Sequence, residues 1–216
     1  MVSLKGPIEK AQRRMDLVNL WALAEKAEEP LDDEWLEREH TEAPDGVQPF
    51  RRFLYHLILQ MGYKVCLGIG VETGITSAHM VAATEQNGGV AVGIDRNFYV
   101  FLWRMAERYP RYRFVSGDSV RMAHMVESYI RGVGLIDLVF QDSSHHFQKS
   151  CDEWDTYRPM MSDNGVWVCD DITPAFHDPK IDPPGMGMVQ YFESRPGEKY
   201  RLDDLHIGNT IGVIVL

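Results

Sequence analysis

The pattern of apolar and polar positions along the chain changes near Tyr63. Beyond this point, short apolar runs alternate with segments whose apolar residues recur at helical spacing. The runs predict strands over Lys64–Ile69, Val90–Ile94, Tyr112–Val115, Ile136–Gln141 and Gly165–Cys169. The intervening segments predict helices over Thr76–Glu85, Phe98–Arg108, Val120–Arg131 and Gln148–Met161. Strands that alternate with helices form βαβ units, so the pattern predicts an α/β fold with a mainly parallel sheet.

The two ends of the chain depart from this alternation. Two strand-like runs, Tyr200–Ile207 and Thr210–Leu216, predict a terminal antiparallel hairpin that brings the sheet to seven strands. At the other end, residues 7–39 are charged and carry apolar residues at helical spacing, and a further helix is predicted over Pro49–Met61. We therefore expect an N-terminal helical cap over residues 1–46 and one α/β domain over residues 47–216.

Composition and charge limit the expected partners. The 216 residues are 44% hydrophobic, and 32 acidic against 22 basic side chains give a net charge of −10. Such a surface repels phosphate backbones and anionic lipids, so we expect neither a nucleic acid nor a membrane as partner. No apolar run reaches the roughly 18 residues of a membrane-spanning helix, and three widely spaced cysteines form no disulfide framework. These features predict a cytoplasmic protein.

A glycine-rich turn follows the first predicted strand. Gly68, Gly70 and Gly74 allow the backbone to approach a ligand closely, and the helix that begins after them favours negative charge at its N-terminus. Asp95 follows the second strand, 21 residues after Gly74. A carboxylate in this position can accept hydrogen bonds from both hydroxyls of a ribose. The two features together favour a ligand of the adenosine type over a purely structural turn.

The third predicted strand ends in Gly117-Asp118-Ser119. Short polar groups at this position suit hydrogen bonding to the amino group of an adenine. The alternative is that Asp118 or Ser119 caps the following helix, and both roles are compatible.

Carboxylates follow the fourth and the fifth predicted strands. Asp142 ends the fourth strand, and Asp170 and Asp171 end the fifth. Because parallel strands end at one edge of the sheet, the three side chains are expected to converge, which is costly unless a cation or protons neutralise them. Oxygen ligands without cysteine suit magnesium or manganese better than zinc. The alternative is a solvated acidic rim.

These motifs together resemble those of class I methyltransferases over residues 47–216. Val65–Gly74 is similar to the first motif of that class, Ile136–Asp142 to the fourth, and Met160–Asp171 to the segment that enters the fifth strand. The resemblance implies a Rossmann-like fold that binds S-adenosylmethionine (SAM). The cofactor contacts that it implies come from Gly68, Gly70, Glu72, Gly74, Thr76, Ser77, Asp95, Asp118, Ser119 and Asp142.

Within that class, the chain resembles the metal-dependent O-methyltransferases of macrolide sugars and the cephalosporin-hydroxylase-like proteins. These proteins place a metal-binding Asp after the fourth strand, a His three residues later and an acidic pair after the fifth strand. The matching residues here are Asp142, His145, Asp170 and Asp171. The resemblance therefore implies Mg²⁺ or Mn²⁺ held by the three aspartates, with His145 and Asp142 as the catalytic residues.

The chain departs from this family at two positions. Gly68 stands where the family usually carries an acidic residue that organises the methionine end of the cofactor, and Glu72 is the candidate replacement. Ser143 stands where the family commonly has Gly after the fourth-strand Asp.

The predicted reaction is the methylation of a hydroxyl group on a small molecule such as a sugar or a natural product. The metal would bind the hydroxyl and lower its pKa, and His145, with an ordinary pKa near ~6.5, would act as the general base. The segment from Ile172 to Met188 is rich in proline and long for a connection, so it is a candidate lid over the substrate.

Three other functions fit part of the pattern. Glycines followed by Asp95 also suit a nicotinamide-dependent oxidoreductase. A non-catalytic SAM-binding protein with a role in assembly would explain the loss of the acid at Gly68. Metal-dependent hydroxylation would need iron or a redox partner. The sequence leaves open the acceptor and whether the chain forms a homo-oligomer.

Overall fold

The computed structural model describes residues 16–17, 19–31, 49–98, 100–173, 178–203 and 210–216. Residues 16–17 and 19–26 are helical and are called the N-terminal helix below. The later helices are α1 (Pro49–Met61), α2 (Ile75–Gln86), α3 (Val100–Arg108), α4 (Ala123–Ile130), α5 (Phe147–Tyr157) and α6 (Met188–Ser194). The strands are β1 (Val65–Ile69), β2 (Val90–Asp95), β3 (Tyr112–Ser116), β4 (Ile136–Gln141), β5 (Met161–Cys169), β6 (Glu198–Asp203) and β7 (Thr210–Val215).

The seven strands form one sheet in the order β3-β2-β1-β4-β5-β7-β6. The five strands from β1 to β5 pair in parallel, and the pairs β5–β7 and β6–β7 are antiparallel. The strand order reverses between β1 and β4, which is where open α/β sheets place their ligands. The predicted α/β fold, with a mainly parallel seven-stranded sheet and a terminal hairpin, is confirmed.

The apolar runs form strands because the central strands are buried on both faces. Every residue of β1 is buried, and one hydrophobic cluster covers each face of the sheet. The N-terminal helix packs into the first cluster, where Leu20, Trp21 and Ala24 lie with Phe53 of α1. The described part of the predicted cap thus shares the core of the α/β domain. The division at residue 46 stays a prediction, because residues 32–48 lie outside the described residues.

Element ends differ from the sequence prediction in the second half of the chain. The helix predicted over Gln148–Met161 ends at Tyr157, and Arg158–Met160 form a single 3₁₀ turn. Pro159 has no backbone N–H to continue the α-helical bonding, which explains this end. Strand β5 begins four residues earlier than predicted, at Met161, and its first half pairs irregularly with β4. The three cysteines are free and buried, and none of the described helices is long and apolar enough to cross a bilayer.

Gly70 follows β1 and lies against the backbone of Asp142, which follows β4. Its φ of 78° is in the left-handed region, and a Cβ atom built on it would overlap the backbone carbonyl of Asp142. The N–H of Gly70 donates to the carbonyl of Ile94, and the N–H of Asp142 donates to that of Ile69. The lack of a side chain at Gly70 therefore lets the loops after β1, β2 and β4 meet.

The connection between β5 and α6 is fastened to the start of α5. A carboxylate oxygen of Asp182 accepts the backbone N–H of Phe147 at 2.8 Å, and the other accepts that of Asp178 at 2.9 Å. His146 occupies the N-cap position of α5, and its Nδ1 atom lies 3.6 Å from Asp182. Asp182, from the candidate lid, therefore supplies the side-chain cap of α5. Residues 174–177 of the lid lie outside the described residues.

Replacement of Gly70 by Ala is expected to destabilise the protein by at least about 3 kcal/mol, because backbone strain is joined by a clash with backbone atoms. Gly88→Ala is the matched control, since Gly88 has a similar φ of 71° but open space around it. It should cost about 1 kcal/mol. Denaturant unfolding measures the free energy of unfolding of both variants. Equal decreases in the two variants would show that the contact of Gly70 with the Asp142 backbone does not contribute to the effect.

Replacement of Asp182 by Asn is expected to cost about 1–3 kcal/mol at neutral pH, because two N–H groups lose a charged acceptor. Burial acts to raise the pKa of Asp182, but the N–H groups of Asp178 and Phe147, with His146, outweigh it and lower the pKa. A lowered pKa stabilises the fold above the unfolded-state pKa of about 4 and loses this effect as the pH falls further. The difference from wild type in urea unfolding should therefore shrink below about pH 4.

The control for Asp182 is Asp155→Asn at the far end of α5, where the carboxylate is 75% exposed. This variant should unfold within about 0.5 kcal/mol of wild type. A constant difference between Asp182→Asn and wild type from pH 7 to pH 3 would contradict the role of the carboxylate charge.

Candidate active site

A cavity of about 360 Å³ opens beyond the carboxyl ends of β1, β2, β3 and β4. It is lined by Ile69, Gly70, Glu72, Ile94, Asp95, Arg96, Asn97, Gly117, Ser119, Asp142, Ser143, Ser144, His145, Lys149 and Glu153. The cavity lies at the reversal of the strand order, where the sequence placed the site. Of the residues predicted there, the structure brings together Gly70, Glu72, Asp95, Ser119, Asp142 and His145.

The Asp95 carboxylate organises the loop that follows β1. One of its oxygens accepts the backbone N–H of Glu72 at 2.9 Å, and the other accepts that of Asn97 at 2.8 Å. The side chain is only partly buried and borders the cavity. A carboxylate fixed in this way can still accept hydrogen bonds from two neighbouring hydroxyls, because each oxygen has a second lone pair. The position is as predicted, and contact with a ribose stays a prediction.

Asp118 caps the turn that leads into α4, and not α4 itself, which begins at Ala123 and has Met122 at its N-cap position. Its Oδ1 atom accepts the N–H groups of Val120 and Arg121 at 3.1 Å, and its Oδ2 atom accepts bonds from Arg96 and Lys149 at 2.9 Å. Burial acts to raise the pKa of Asp118, but these donors outweigh it and hold the pKa far below its usual value. The carboxylate does not line the cavity, so its contact with an adenine stays a prediction.

Glu153 is a residue of the site that the sequence analysis missed. This fully buried carboxylate of α5 accepts hydrogen bonds from the hydroxyl of Ser119 at 2.6 Å, the amide of Gln141 at 2.7 Å and the hydroxyl of Ser143 at 2.8 Å. It joins the loops after β3 and β4 to the helix behind them. The available signal was an acid inside the apolar stripe of a helix, next to Trp154.

The acidic cluster forms because β4 and β5 end side by side. Gln141 pairs with Cys169 at the end of the two strands, and the residues that follow are Asp142 and Asp170. His145 lies between two of the carboxylates, with its Nε2 atom 3.2 Å from Oδ1 of Asp142 and 3.7 Å from Oδ2 of Asp171. The three aspartates thus lie close enough to interact electrostatically, as predicted, and His145 contacts Asp142 and Asp171.

Backbone strain is concentrated in the same region. The described chain has three non-glycine residues with positive φ, and they are Glu72 at 44°, His145 at 53° and Asp171 at 54°. Such conformations are uncommon for residues with a side chain and persist only where the surrounding structure holds them. Each of the three belongs to the loop after β1, β4 or β5, so the strain marks the place where these loops meet.

Electrostatic interactions within the cluster shift the pKa of its members. Burial, followed by the charges of Asp142 and Asp171, raises the pKa of Asp170 well above its usual value. Burial also raises the pKa of Asp171, against the effect of His145. For His145, burial acts to lower the pKa, but the hydrogen bond and charge of Asp142, with Asp171, outweigh it and raise the pKa. The imidazole therefore compensates part of the negative charge.

Arg51 is the second residue that sequence reasoning missed. It lies in the first turn of α1, and its guanidinium interacts electrostatically with Asp142, Asp170, Glu29 and Glu72. Burial lowers the pKa of Arg51, and the four carboxylates act in the opposite direction. This position could not be predicted, because nothing in the residue pattern of α1 shows that its first turn faces the ends of β1 and β4.

Five residues predicted to contact the cofactor do not line the cavity, namely Asp118, described above, and Gly68, Gly74, Thr76 and Ser77. Gly68 lies within β1, where a Cβ atom would be 3.1 Å from Cγ1 of Val71 and 3.5 Å from the Ser77 hydroxyl. Ser77 is buried behind β1. The space that an acidic side chain at position 68 would need is thus occupied by neighbouring side chains.

The donor set fits a divalent cation in its chemistry. The Oδ1 atom of Asp171 is buried and has no hydrogen-bond partner among the described residues, and it belongs to a cluster of hard oxygen donors that repel one another. Within the described ranges, however, no group of three or more His, Cys, Asp or Glu side chains has the spacing of a metal site. The His145 ring contacts both Asp142 and Asp171 in this arrangement.

Comparisons with known proteins bear on this site. Residues 67–172, which run from β1 to the end of β5, match the family model of a methyltransferase domain. No curated protein sequence matches the chain significantly.

Several solved structures share the fold over almost the whole chain. One is an O-methyltransferase from Bacillus cereus in complex with S-adenosylhomocysteine (SAH), with 16% identity, a TM-score of 0.67, and 92% of this chain and 97% of that chain covered. A second is the O-methyltransferase TomG from Streptomyces achromogenes in complex with SAM, with 19% identity, a TM-score of 0.65, and 92% and 95% covered. A third is an SAH-bound methyltransferase from Podospora anserina, with 14% identity, a TM-score of 0.61, and 100% and 97% covered.

The family match includes the glycine-rich turn, Asp95 and the three aspartates, and the oxidoreductase alternative explains none of the acidic cluster. Residues 67–172 therefore belong to the methyltransferase-domain family, and the chain has the fold of class I SAM-dependent methyltransferases.

Proposed function

We propose that the protein is a SAM-dependent O-methyltransferase that methylates a hydroxyl group of a small molecule, such as a sugar or a natural product, with the help of Mg²⁺ or Mn²⁺. The observation that carries the proposal is the continuity of the cavity. Its wall runs from Asp95, where a nucleoside would bind, to Asp142 and His145, where protons can be exchanged. The relatives named as O-methyltransferases in complex with SAM or SAH support the same cofactor and reaction.

The wall of the cavity carries polar groups that would bind the cofactor. Asp95 is held by backbone N–H groups and keeps acceptor capacity for ribose hydroxyls. Gly70 lets the loop after β1 approach a ligand, and Ser119 with Ser143 offers hydroxyls that Glu153 holds in place. Binding in a fixed orientation is itself a large part of catalysis, because an in-line displacement needs the reacting atoms aligned.

His145 is the proposed general base. The Nε2–H group of His145 faces the carboxylates, so the acceptor's hydroxyl proton passes to the other ring nitrogen, Nδ1. The hydroxyl oxygen forms the new bond to the methyl carbon, and the bond from that carbon to the sulfonium sulfur breaks to leave a thioether. The ring is oriented by Asp142 at 3.2 Å and by Asp171 at 3.7 Å, and both carboxylates stabilise the imidazolium that results. This triad of side chains explains why the loop after β4 accepts a strained backbone at His145.

A divalent cation would be held by the carboxylates of Asp142, Asp170 and Asp171. It would supply Lewis-acid activation of the acceptor hydroxyl. The residues themselves bring the carboxylates of Asp170 and Asp171 close to that of Asp142, which lines the cavity. Burial excludes water from the Asp170 side chain, and one buried oxygen of Asp171 has no described partner. These features support the metal as part of the proposal.

Location and assembly stay predictions of the sequence. The free, buried cysteines are compatible with a reducing compartment such as the cytoplasm. Self-association would be measured by the oligomeric state in solution.

Isothermal titration with SAH, with and without Mg²⁺, tests the cofactor site. Wild type should bind, and Asp95→Ala should weaken binding on the order of tenfold to a hundredfold, because charge-assisted hydrogen bonds to the ribose are lost. Asp163→Ala removes an exposed carboxylate at the opposite end of the sheet and serves as the control. Absence of SAH binding to a folded wild type would overturn the proposed function.

Substitution of His145 by Ala should keep SAH affinity within about threefold and lower turnover on the order of a hundredfold or more, because a general base is lost. Turnover is measured as SAH formation with a panel of sugar and phenolic hydroxyl acceptors in the presence of Mg²⁺. His124→Ala on the exposed face of α4 is the matched control and should behave as wild type. Unchanged turnover in His145→Ala would show that His145 is not the general base. Unchanged turnover of wild type in EDTA would show that the reaction does not need a metal.

A further inference from the structure

A chain of hydrogen bonds that begins in the core ends at two hydroxyl groups in the cavity wall. The indole N–H of Trp167, which can only donate, bonds to Oε1 of Gln141 at 3.0 Å. The amide of Gln141 is thereby oriented with its nitrogen toward Glu153, and it donates to Oε2 of that carboxylate at 2.7 Å. All three residues are buried, so water does not compete for these bonds. The direction of each bond is therefore set by the chemistry of the side chains themselves.

Glu153 determines the direction of the hydroxyl protons of Ser119 and Ser143. An ionised carboxylate only accepts hydrogen bonds, and the ammonium of Lys149, 3.8 Å from Oε1, stabilises the ionised form. Ser119 donates to Oε1 at 2.6 Å, and Ser143 donates to Oε2 at 2.8 Å. Because a hydroxyl has a single proton, both serines have used their only side-chain donor.

Both hydroxyl oxygens keep lone pairs for a ligand. Ser119 and Ser143 line the cavity, and neither oxygen accepts a hydrogen bond from the part of the chain that the structure describes. They come from the loops after β3 and β4, but they lie side by side because they bond to the two oxygens of one carboxylate. Lys149, the cation in this wall, is bonded to Asp118 at 2.9 Å. The pair of serines therefore presents two acceptors and no donor.

The position of the pair indicates which part of the cofactor reaches it. Asp95, the proposed ribose contact, ends β2, and β3 is the neighbour of β2 at the edge of the sheet. Ser119 lies in the loop after β3, whereas the proposed reaction takes place at His145, after β4. A nucleoside with its ribose at Asp95 therefore has its base on the side of Ser119 and its sulfur on the side of His145.

We propose that Ser119 and Ser143 bind the exocyclic amino group of the adenine, and that Glu153 is a positioning residue that keeps both hydroxyls as acceptors. The inference rests on the proposed function and names the residues that select the base of its cofactor. An amino group has two N–H donors, which match two acceptors. An oxo group in the same place would leave both acceptors unpaired. Asp118, the other candidate for this contact, does not line the cavity.

The test compares SAH with S-inosylhomocysteine, in which an oxo group replaces the amino group of the base. In isothermal titration of the full-length protein, SAH should bind on the order of tenfold to a hundredfold more tightly, because the oxo group leaves buried acceptors unpaired. This ratio of the two affinities, called the base preference below, is the quantity that the variants should change.

Replacement of Glu153 by Gln should reverse one hydroxyl. The oxygen of the new amide stays on the side of Gln141, whose nitrogen donates to it, so the new amide nitrogen faces Ser119. Ser119 then accepts from that nitrogen and turns its own proton toward the cavity, where it can donate to an oxo group. The base preference should fall on the order of tenfold, whereas a purely structural role of Glu153 would weaken both ligands equally. Glu127→Gln makes the same exchange at an exposed position of α4 and should keep the base preference within about twofold.

Each outcome of this experiment decides the inference. Equal binding of the two ligands to wild type would overturn it, and so would a base preference that Glu153→Gln leaves unchanged. Absence of SAH binding to folded wild type would instead overturn the proposed function. If Glu153→Gln does not fold, as judged by thermal unfolding, Ser143→Ala removes one acceptor and leaves Glu153 bonded to Ser119 and Gln141. That variant should lower the base preference about threefold to tenfold, and an unchanged base preference there would equally overturn the inference.

Discussion

Parallel pairing of β4 with β5 places Asp142 and Asp170 at neighbouring strand ends. Their carboxylates repel each other, and the rest of the site is arranged to compensate this repulsion. Because the register is set by buried strands, the two charges cannot move apart without breaking the sheet. The structure compensates with His145 between the carboxylates and Arg51 beside them. The chemistry of the site follows, since any cation, proton or positively charged ligand group that enters is stabilised by the same field.

Much of this site could be predicted because it depends on strand ends. Apolar runs identify β1 to β5, parallel strands end at one edge, and so Asp95, Asp142 and Asp170 had to converge. Arg51, Glu153 and Asp182 were missed for a common reason. Each of them interacts with residues that are distant in the sequence. Helical periodicity predicts which residues face the core, but it does not predict which strand end they contact. Contacts of the cofactor with Thr76 and Ser77 were transferred from a motif, and the cavity wall does not include them.

The network of Glu153 shows how a polar site is kept rigid within an apolar core. One buried carboxylate is satisfied by donors from the ends of β3 and β4, and Gln141 in turn accepts a bond from the indole of Trp167 at 3.0 Å. Because every member is bonded, the cost of burying these groups is offset, and the loops that carry Ser119 and Ser143 are held in one arrangement. The aspartates of the acidic cluster are held less completely, since the Oδ1 atom of Asp171 has no hydrogen-bond partner among the described residues.

The left-handed backbone at Glu72, His145 and Asp171 has a consequence for how the sequence can evolve. At each of these positions Gly or Asn would relieve strain, so the residues present are not those that favour stability. A lineage released from selection for the reaction, but still selected for a folded protein, would be expected to change these three positions early. The identity of the residues at positions 72, 145 and 171 in descendants would then distinguish proteins that kept the chemistry from those that kept only the scaffold.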